Sequence, residues 1–402
     1  MLDIFEPTLA AALARADKFQ PGVYARTRNA IGGGVSGLSP YITHGFLSMT
    51  EVLARVASRH MLDAQHKFIF ELGWRAYFRH VWEHRGSEIF QSFHEGPLPD
   101  NAYTRELPVD IRQACTGVPV VDEAVRVLYA TGMLHNHARM WLASYVVHMR
   151  KVHWRVGADW LYGHLLDGDL ASNHLSWQWV AGTGSNKPYL FNADNVVRYA
   201  PEAWHSPGSV IDTSYEALDR IAHHPARSLR FDHAGAYGGV PSEEPRLSVE
   251  PPEELGLAMP DAATVAGRDV WLVHPWSLGA LPAALPADTV VIGIFVADFH
   301  SDWPWSEGRW RFVGAGMSAL SKQRWYGDAA AIGAALRGAR SVRCVDEPHL
   351  TPWLTCWADF KPSSVLFPPV DRQCDSFSKW WTLSSRGLNS AADLLAQQQV
   401  PA

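Results

Sequence analysis

Cysteine is scarce in this chain, and the four that occur, Cys115, Cys344, Cys356 and Cys374, include no C-x-x-C pair. That spacing gives a zinc site or an iron–sulfur cluster nothing to build on, and it fits a reducing compartment. No metal is expected. Charge of one sign is lacking too. A formal net charge of −6 over 402 residues provides no global basic field, so a nucleic-acid site has to be a local patch. Long apolar runs are missing near the start, where MLDIFEPTLAAALARADKF carries early acidic residues. It reads as neither a signal peptide nor a membrane anchor. The expectation is a cytoplasmic monomer without membrane attachment.

Tryptophan, by contrast, is abundant, with 18 residues. Some fill core; indoles also stack on bases or pass electrons. The length allows two or three cores. Residues 1–235 read as mostly helical, because PTLAAALARADKF, SMTEVLARVASRHM, VDEAVRVLYATG and HARMWLASYVVHMRKV repeat apolar positions at helical spacing. Ser39-Pro40 offers an N-cap followed by proline, and Ser48 with Glu51 a capping box. Residues 236–265 change character: 241–254 (PSEEPRLSVEPPEE) is rich in Pro and Glu and reads as an extended linker. Residues 266–402 read as a small α/β domain with a helical tail. Strands are expected at 269–274, 289–296 and 341–345, helices at 308–320 and 329–336, and an amphipathic tail at 388–398. No G-x-G-x-x-G follows these strands, so dinucleotide binding there has no support. The fold class is mainly α, a helical domain followed by a small α/β domain.

The most specific stretch is 167–179, DGDLASNHLSWQW. Two carboxylates stand two residues apart, a carboxamide follows, and two tryptophans flank a glutamine. Upstream, 32–41 (GGGVSGLSPY) runs a glycine-rich loop into a helix start. Small residues let backbone N–H groups approach an anion, the helix N-terminus adds partial positive charge, and Ser36 and Ser39 add hydroxyls. This could cradle a pyrophosphate or be a flexible loop with a Ser-Pro cap.

In order and spacing, these segments together with 71–80 (ELGWRAYFRH), 116–122 (TGVPVVD) and 132–140 (GMLHNHARM) resemble the FAD-binding helical domain of the photolyase/cryptochrome family. The resemblance covers roughly residues 20–200. It implies FAD as cofactor, held by Tyr24, Arg28, Ser36, Leu38, Ser39, Arg75, Arg139, Asp167, Asp169 and Asn173. Asp167 and Asp169 would lie on the adenosine side of a U-shaped FAD. Arg139 would pair with Asp167, and Asn173 would face flavin N5. Val35 replaces a threonine of the family loop. Trp177 and Trp154 match the inner members of an electron-hopping tryptophan chain. Asn101 stands at the third position, leaving Tyr103, Trp82 or Trp160 to end it.

Glu71, Trp74, Asn136, Met140 and Trp179 match the family's lesion pocket. Histidines typical of (6-4) enzymes are not at Asn136 and Met140, while His137 replaces an arginine usual in enzymes for cyclobutane pyrimidine dimers (CPDs). The resemblance therefore implies UV-damaged DNA as partner and light-dependent CPD repair by electron transfer from excited reduced FAD. The alternative is a cryptochrome-like blue-light photoreceptor with the C-terminal segment as output module. Family members carry an α/β antenna domain before the helical part, whereas this chain starts almost at the helical part, so a short form without it is expected. For 266–402 three roles stay open: a relocated antenna-like domain without chromophore, a module binding DNA or protein, or a structural element.

Overall fold

The computed structural model describes residues 5–225, 240–361 and 364–397. Up to residue 225 the chain is helical. The elements that concern the site are α1 (Pro21–Thr27), α2 (Ser39–Thr43), α3 (Lys67–Arg85), α4 (Asn136–Ser144), α5 (Trp154–His164) and α6 (Leu170–Ala181). Capping explains their starts. Asp169 accepts from the Ser172 N–H to begin α6, and Pro40 occupies the first turn of α2. Three starts are unusual. His66, His135 and His153 cap α3, α4 and α5 with a ring nitrogen that accepts a backbone N–H. Gly86 and Gly182, with φ of +54° and +79°, end α3 and α6. The helical expectation over 137–152 is met as far as Met149, by α4 followed by a buried π-helical turn, Tyr145–Met149.

The rest is α/β. A short antiparallel pair, β1 (Leu247–Ser248) and β4 (Trp305–Ser306), joins the Pro/Glu-rich stretch to the later part. A five-stranded sheet contains β2 (Asp269–Val273), β3 (Val290–Val296), β5 (Gln323–Gly327), β6 (Ser341–Val345) and β7 (Asp359–Lys361). Their order is β5-β3-β2-β6-β7, and all four pairings are parallel. The central strands are apolar runs buried on both faces. Helix α7 (Glu307–Leu320) covers the sheet, and α8 (Phe377–Ser384) packs back on α3. Of the 236–265 segment, residues 236–239 lie outside the described residues. Within 240–265, Glu244 accepts from Trp160 Nε1 at 2.9 Å and from Arg112 at 3.1 Å.

Two hydrophobic cores result, and their boundary does not follow the change in composition. The N-terminal helices, α3 included, share one core with the whole α/β part. Residues between Leu98 and Leu218 form the other. Helix α6 belongs to both: Leu170, Ala171 and Leu175 enter the first, and Trp177, Val180 and Ala181 the second. Its apolar residues are spread around the helix because both cores flank it, and only Ser176 and Trp179 on it are exposed.

Candidate functional site

Three helices line one cleft, and each does so with the same spacing. From α3 come Glu71, Trp74, Arg75 and Phe78; from α4 Asn136, Arg139, Met140 and Ala143; from α6 Asn173, Ser176, Trp177 and Val180. Positions i, i+3, i+4 and i+7 share a helix face, so each helix turns one stripe inward. The loop Asp167-Gly168-Asp169, between α5 and α6, closes one end. The cleft holds about 840 Å³ of free space and opens to solvent.

Charge in the cleft is paired. Arg139 Nη2 donates to both oxygens of Asp167 at 2.9 Å, while its Nε donates to Leu134 O at 2.8 Å. Burial alone would push the Asp167 carboxyl up, yet Arg139, the Ser39 hydroxyl and Arg75 hold it below the usual carboxylate range. Arg75 donates to Thr43 Oγ1, whose hydroxyl donates to Asp167 O at 3.2 Å. Asp169 is nearly inaccessible and accepts from Arg79 at 2.8 Å. Burial opposes its ionisation, but Arg79, Arg75, His349 and the Ser172 N–H keep it far below the usual range. At the mouth, burial raises Glu71 despite Arg28, whose guanidinium lies 3.7 Å away. Asn173 Nδ2 donates to Ala158 O at 2.8 Å.

Not every expected residue reaches the cleft wall. Ser39 and Arg28 touch it through Asp167 and Glu71. Ser36 Oγ accepts from the Leu38 N–H at 3.3 Å, Leu38 is buried, and Tyr24 packs on Phe19 and Phe68. Trp179 points elsewhere: two residues past Trp177 on a helix, it is 39 % exposed and lies against Tyr189. His137 stacks on Trp141 and bonds Asn29 O at 2.7 Å. Trp154 stands behind the wall, and Trp177 packs on Gly157, one turn on from Trp154, so closely that a β-carbon there would meet its ring at 2.4 Å.

Several residues escaped sequence reasoning. Phe377 of α8 stacks flat on Trp74, with centroids 4.0 Å apart and planes 9° apart. Arg79, Arg309, Glu347 and His349 grip the Asp167–Asp169 loop from behind. Trp303 approaches from the α/β part: His174 lies 6.5 Å from the Trp154 ring and 5.3 Å from that of Trp303. Of the expected distal residues, Tyr103 is linked to Trp154 through His153. Trp82 lies edge-on to His349, and Trp160 bonds Glu244.

Against known proteins, residues 68–226 match the family model described as the FAD binding domain of DNA photolyase. The chain is similar to a deoxyribodipyrimidine photo-lyase of Synechococcus sp., at 30% identity over 265 residues, covering 56% of this chain and 53% of that protein. It is also similar to a cryptochrome DASH of Gloeobacter violaceus, at 33% identity over 187 residues, covering 44% of this chain and 37% of that one. A Synechocystis cryptochrome crystal structure matches with 30% identity and a TM-score of 0.45, covering 49% of this chain and 44% of that one. The chain spans about half the length of the curated relatives it matches. No helix among the described residues is long and apolar enough to cross a membrane.

The cleft suits an FAD. Arg75 and Arg139 supply cations for an anionic cofactor, Trp74, Phe78 and Trp177 supply ring surfaces, and the buried Ser172 Oγ in the lining has no hydrogen-bond partner within the protein.

Proposed function

We propose, from the premise that residues 68–226 are an FAD-binding domain of the photolyase/cryptochrome family, that the protein repairs cyclobutane pyrimidine dimers in DNA under blue light. The observation that carries this reading is a shared cleft. Glu71, Trp74, Asn136 and Met140, four of the five residues expected to meet a lesion, line the same space as Arg75, Arg139, Asp167, Asp169 and Asn173, five of the ten expected to hold FAD. Bound and reduced, FAD supplies a light-excited electron for splitting the cyclobutane ring.

The chain's own residues do the rest. A dimer inside a duplex cannot reach the cleft, and a damaged pair is cheaper to extrude than a normal one. Trp74, braced from behind by Phe377, offers a rigid ring for the extruded pair, and stacking is worth about 1–3 kcal/mol per base. Trp179, exposed beyond the cleft, is available to the flanking strand. Burial pushes the Glu71 carboxyl up, and the group faces the cleft as a hydrogen-bond partner for a pyrimidine edge. Asn136 offers a carboxamide beside it, and Met140 an apolar contact. Arg139 and Asp167 fix each other's geometry, and Asn173, with Nδ2 engaged on Ala158, keeps Oδ1 as an acceptor. Trp177 and Trp154 are oxidisable indoles placed to recharge the site with electrons, and Trp303 lies beyond His174 as a half-buried third.

The test is direct. The reduced protein, mixed with thymine-dimer DNA and illuminated, should restore absorbance near the thymine maximum, with little repair of (6-4) products. Trp74→Ala should weaken binding of damaged DNA by about 1–3 kcal/mol and leave undamaged DNA nearly unaffected, because backbone contacts are common to both. Repair of (6-4) products alone would overturn the substrate. Ordinary FAD photochemistry without repair of either lesion would favour a cryptochrome-like photoreceptor.

A further inference from the structure

The strand order β5-β3-β2-β6-β7 reverses between β2 and β6: the chain runs outward from β2 to one edge, then returns to build the other. In such sheets the crevice beyond the carboxyl ends of the two strands at the reversal is where a ligand sits. In this protein the residues leaving those strands meet the helical part instead. After β2, Pro275 O lies 2.7 Å from His44 Nδ1, and the Leu278 N–H donates to His44 O at 2.9 Å. Contact is close enough that a β-carbon on Gly45, at φ +67°, would lie 2.3 Å from Trp276 O. After β6, Glu347 Oε1 accepts from Arg79 Nη1 at 2.7 Å and lies 2.5 Å from His349 Nδ1.

These contacts converge on the cleft loop. Arg79 spans from Glu347 to Asp169, donating to each carboxylate with a different nitrogen. His349 Nε2 receives the Leu170 N–H at 3.4 Å, and its ring lies flat on Trp276 with centroids 4.3 Å apart. Arg309, fully buried in α7, donates to Gly168 O at 2.6 Å and Tyr162 O at 2.9 Å. Its guanidinium rests on the Tyr162 and Trp305 rings. A β-carbon on Gly168 would meet that guanidinium at 2.5 Å. The loop that begins α6 is therefore held at the carboxylate of Asp169, the carbonyl of Gly168 and the N–H of Leu170 by groups that trace to the sheet's reversal point or to α7.

We propose that Glu347 and Arg309 of the α/β part are positioning residues of the flavin site. They fix the start of α6, and through it Asn173 and Trp177 on the cleft wall. The sheet's ligand crevice has become a socket for the cofactor loop, which gives the C-terminal part its function. This rests on reading the cleft as an FAD site.

Two readouts test it. In flavin-free protein, hydrogen exchange of the amides at 170–173 should accelerate at least tenfold in Glu347→Gln, while amides of β2 and β3 keep their protection. Titrated with FAD, Glu347→Gln should bind at least tenfold more weakly than wild type. Glu347→Asp, which keeps the charge at shorter reach, should fall between, and Arg309→Lys should weaken binding in the same sense. Glu254→Gln, at an exposed pair with Arg311, should match wild type. Unchanged exchange and unchanged FAD affinity in Glu347→Gln would overturn the proposal, as would a uniform loss of protection over the whole chain. Should Glu347→Gln fail to fold, Glu347→Asp and Arg309→Lys decide by the same readouts. A wild type that takes up no FAD would sink the flavin reading while the exchange measurement still judged the socket.

Discussion

Asp167 and Asp169 are two residues apart, yet different regions of the molecule hold them. The hydrogen-bond partners that hold Asp167 are helical: Arg139, Ser39 and, at its carbonyl, Thr43, with Arg75 adding its charge. Asp169 reaches through Arg79 to Glu347, in the α/β part. One short loop thus lies across the seam between the helical cleft and the α/β part. The lesson is that a site's boundary follows its hydrogen bonds and not the composition of the chain. The α/β part shares a core with α3, whereas most of the matched region packs in the other core.

The largest expected effect breaks the cleft side. Asp167→Ala leaves Arg139 without its carboxylate in a mostly buried site, which should cost about 3–5 kcal/mol and abolish FAD retention. Asp169→Ala should cost less, about 1–3 kcal/mol, because Glu347 still neutralises Arg79. Denaturant unfolding and flavin content of the purified variants measure both. A greater loss in Asp169→Ala would invert the comparison and make the sheet side the dominant anchor.

Acid should loosen the histidine-capped helices next. His66, His135 and His153 cap α3, α4 and α5 by accepting N–H groups at 3.2, 3.1 and 3.2 Å, which only an unprotonated ring nitrogen can do. Burial lowers all three, His135 to about 4 with help from His137 and Arg139. A base whose folded pKa lies below its unfolded value stabilises fully above about pH 6.5, and that contribution fades as pH falls toward the folded value. At about 1 kcal/mol per cap, the helices carrying the cleft should weaken between pH 6.5 and 4. On the sheet side Asp169 and Glu347, held below the usual carboxylate range by Arg79 against burial, keep their pairing there, while His349, which accepts from Leu170 and which burial lowers, weakens in the same direction as the caps. Unfolding free energies measured across that interval should slope downward, and His135→Asn, which caps without titrating, should flatten the slope.

Much of this was legible in the sequence because it is periodic or local. The cleft stripes of α3, α4 and α6 follow from helical spacing within each motif, the buried strands β2 and β3 follow from apolar runs, and the half-buried β6 from its β-branched and apolar positions Val342, Cys344 and Val345. Strands β5 and β7 were missed because they are edges: QRWYG and DFK are short and charged, which guards an edge and erases the apolar signal. The socket was illegible for a different reason. Arg79 and Glu347 are 268 residues apart, Arg309 and Gly168 are 141 apart, and no local pattern announces a contact across such distances. Trp179 shows the converse limit: the resemblance grouped it with Trp74 in the lesion pocket, whereas helical geometry turns it away from the cleft wall and against Tyr189.

The smallest expected effect asks whether the sheet side also contributes electrons. Trp177→Phe removes an oxidisable ring from the cleft wall while keeping an aromatic one, so light-driven reduction of bound FAD should slow severely. Trp303 is farther out, its ring 5.1 Å from Phe90 and 5.3 Å from His174, with Arg155 over its face at 5.2 Å. It is half-buried, so water can share a positive charge on the indole. Tyr103, the competing terminus, is buried and its phenol is pushed up to about 12, chiefly by burial, which disfavours the proton loss that tyrosine oxidation requires. Trp303→Phe should therefore slow photoreduction several-fold and Tyr103→Phe hardly at all, while chemically reduced protein repairs DNA as before in both. The measurement is flavin bleaching under blue light with a thiol as final reductant. A slower rate in Tyr103→Phe with none in Trp303→Phe would confine the electron path to the helical part, leaving the sheet as support alone.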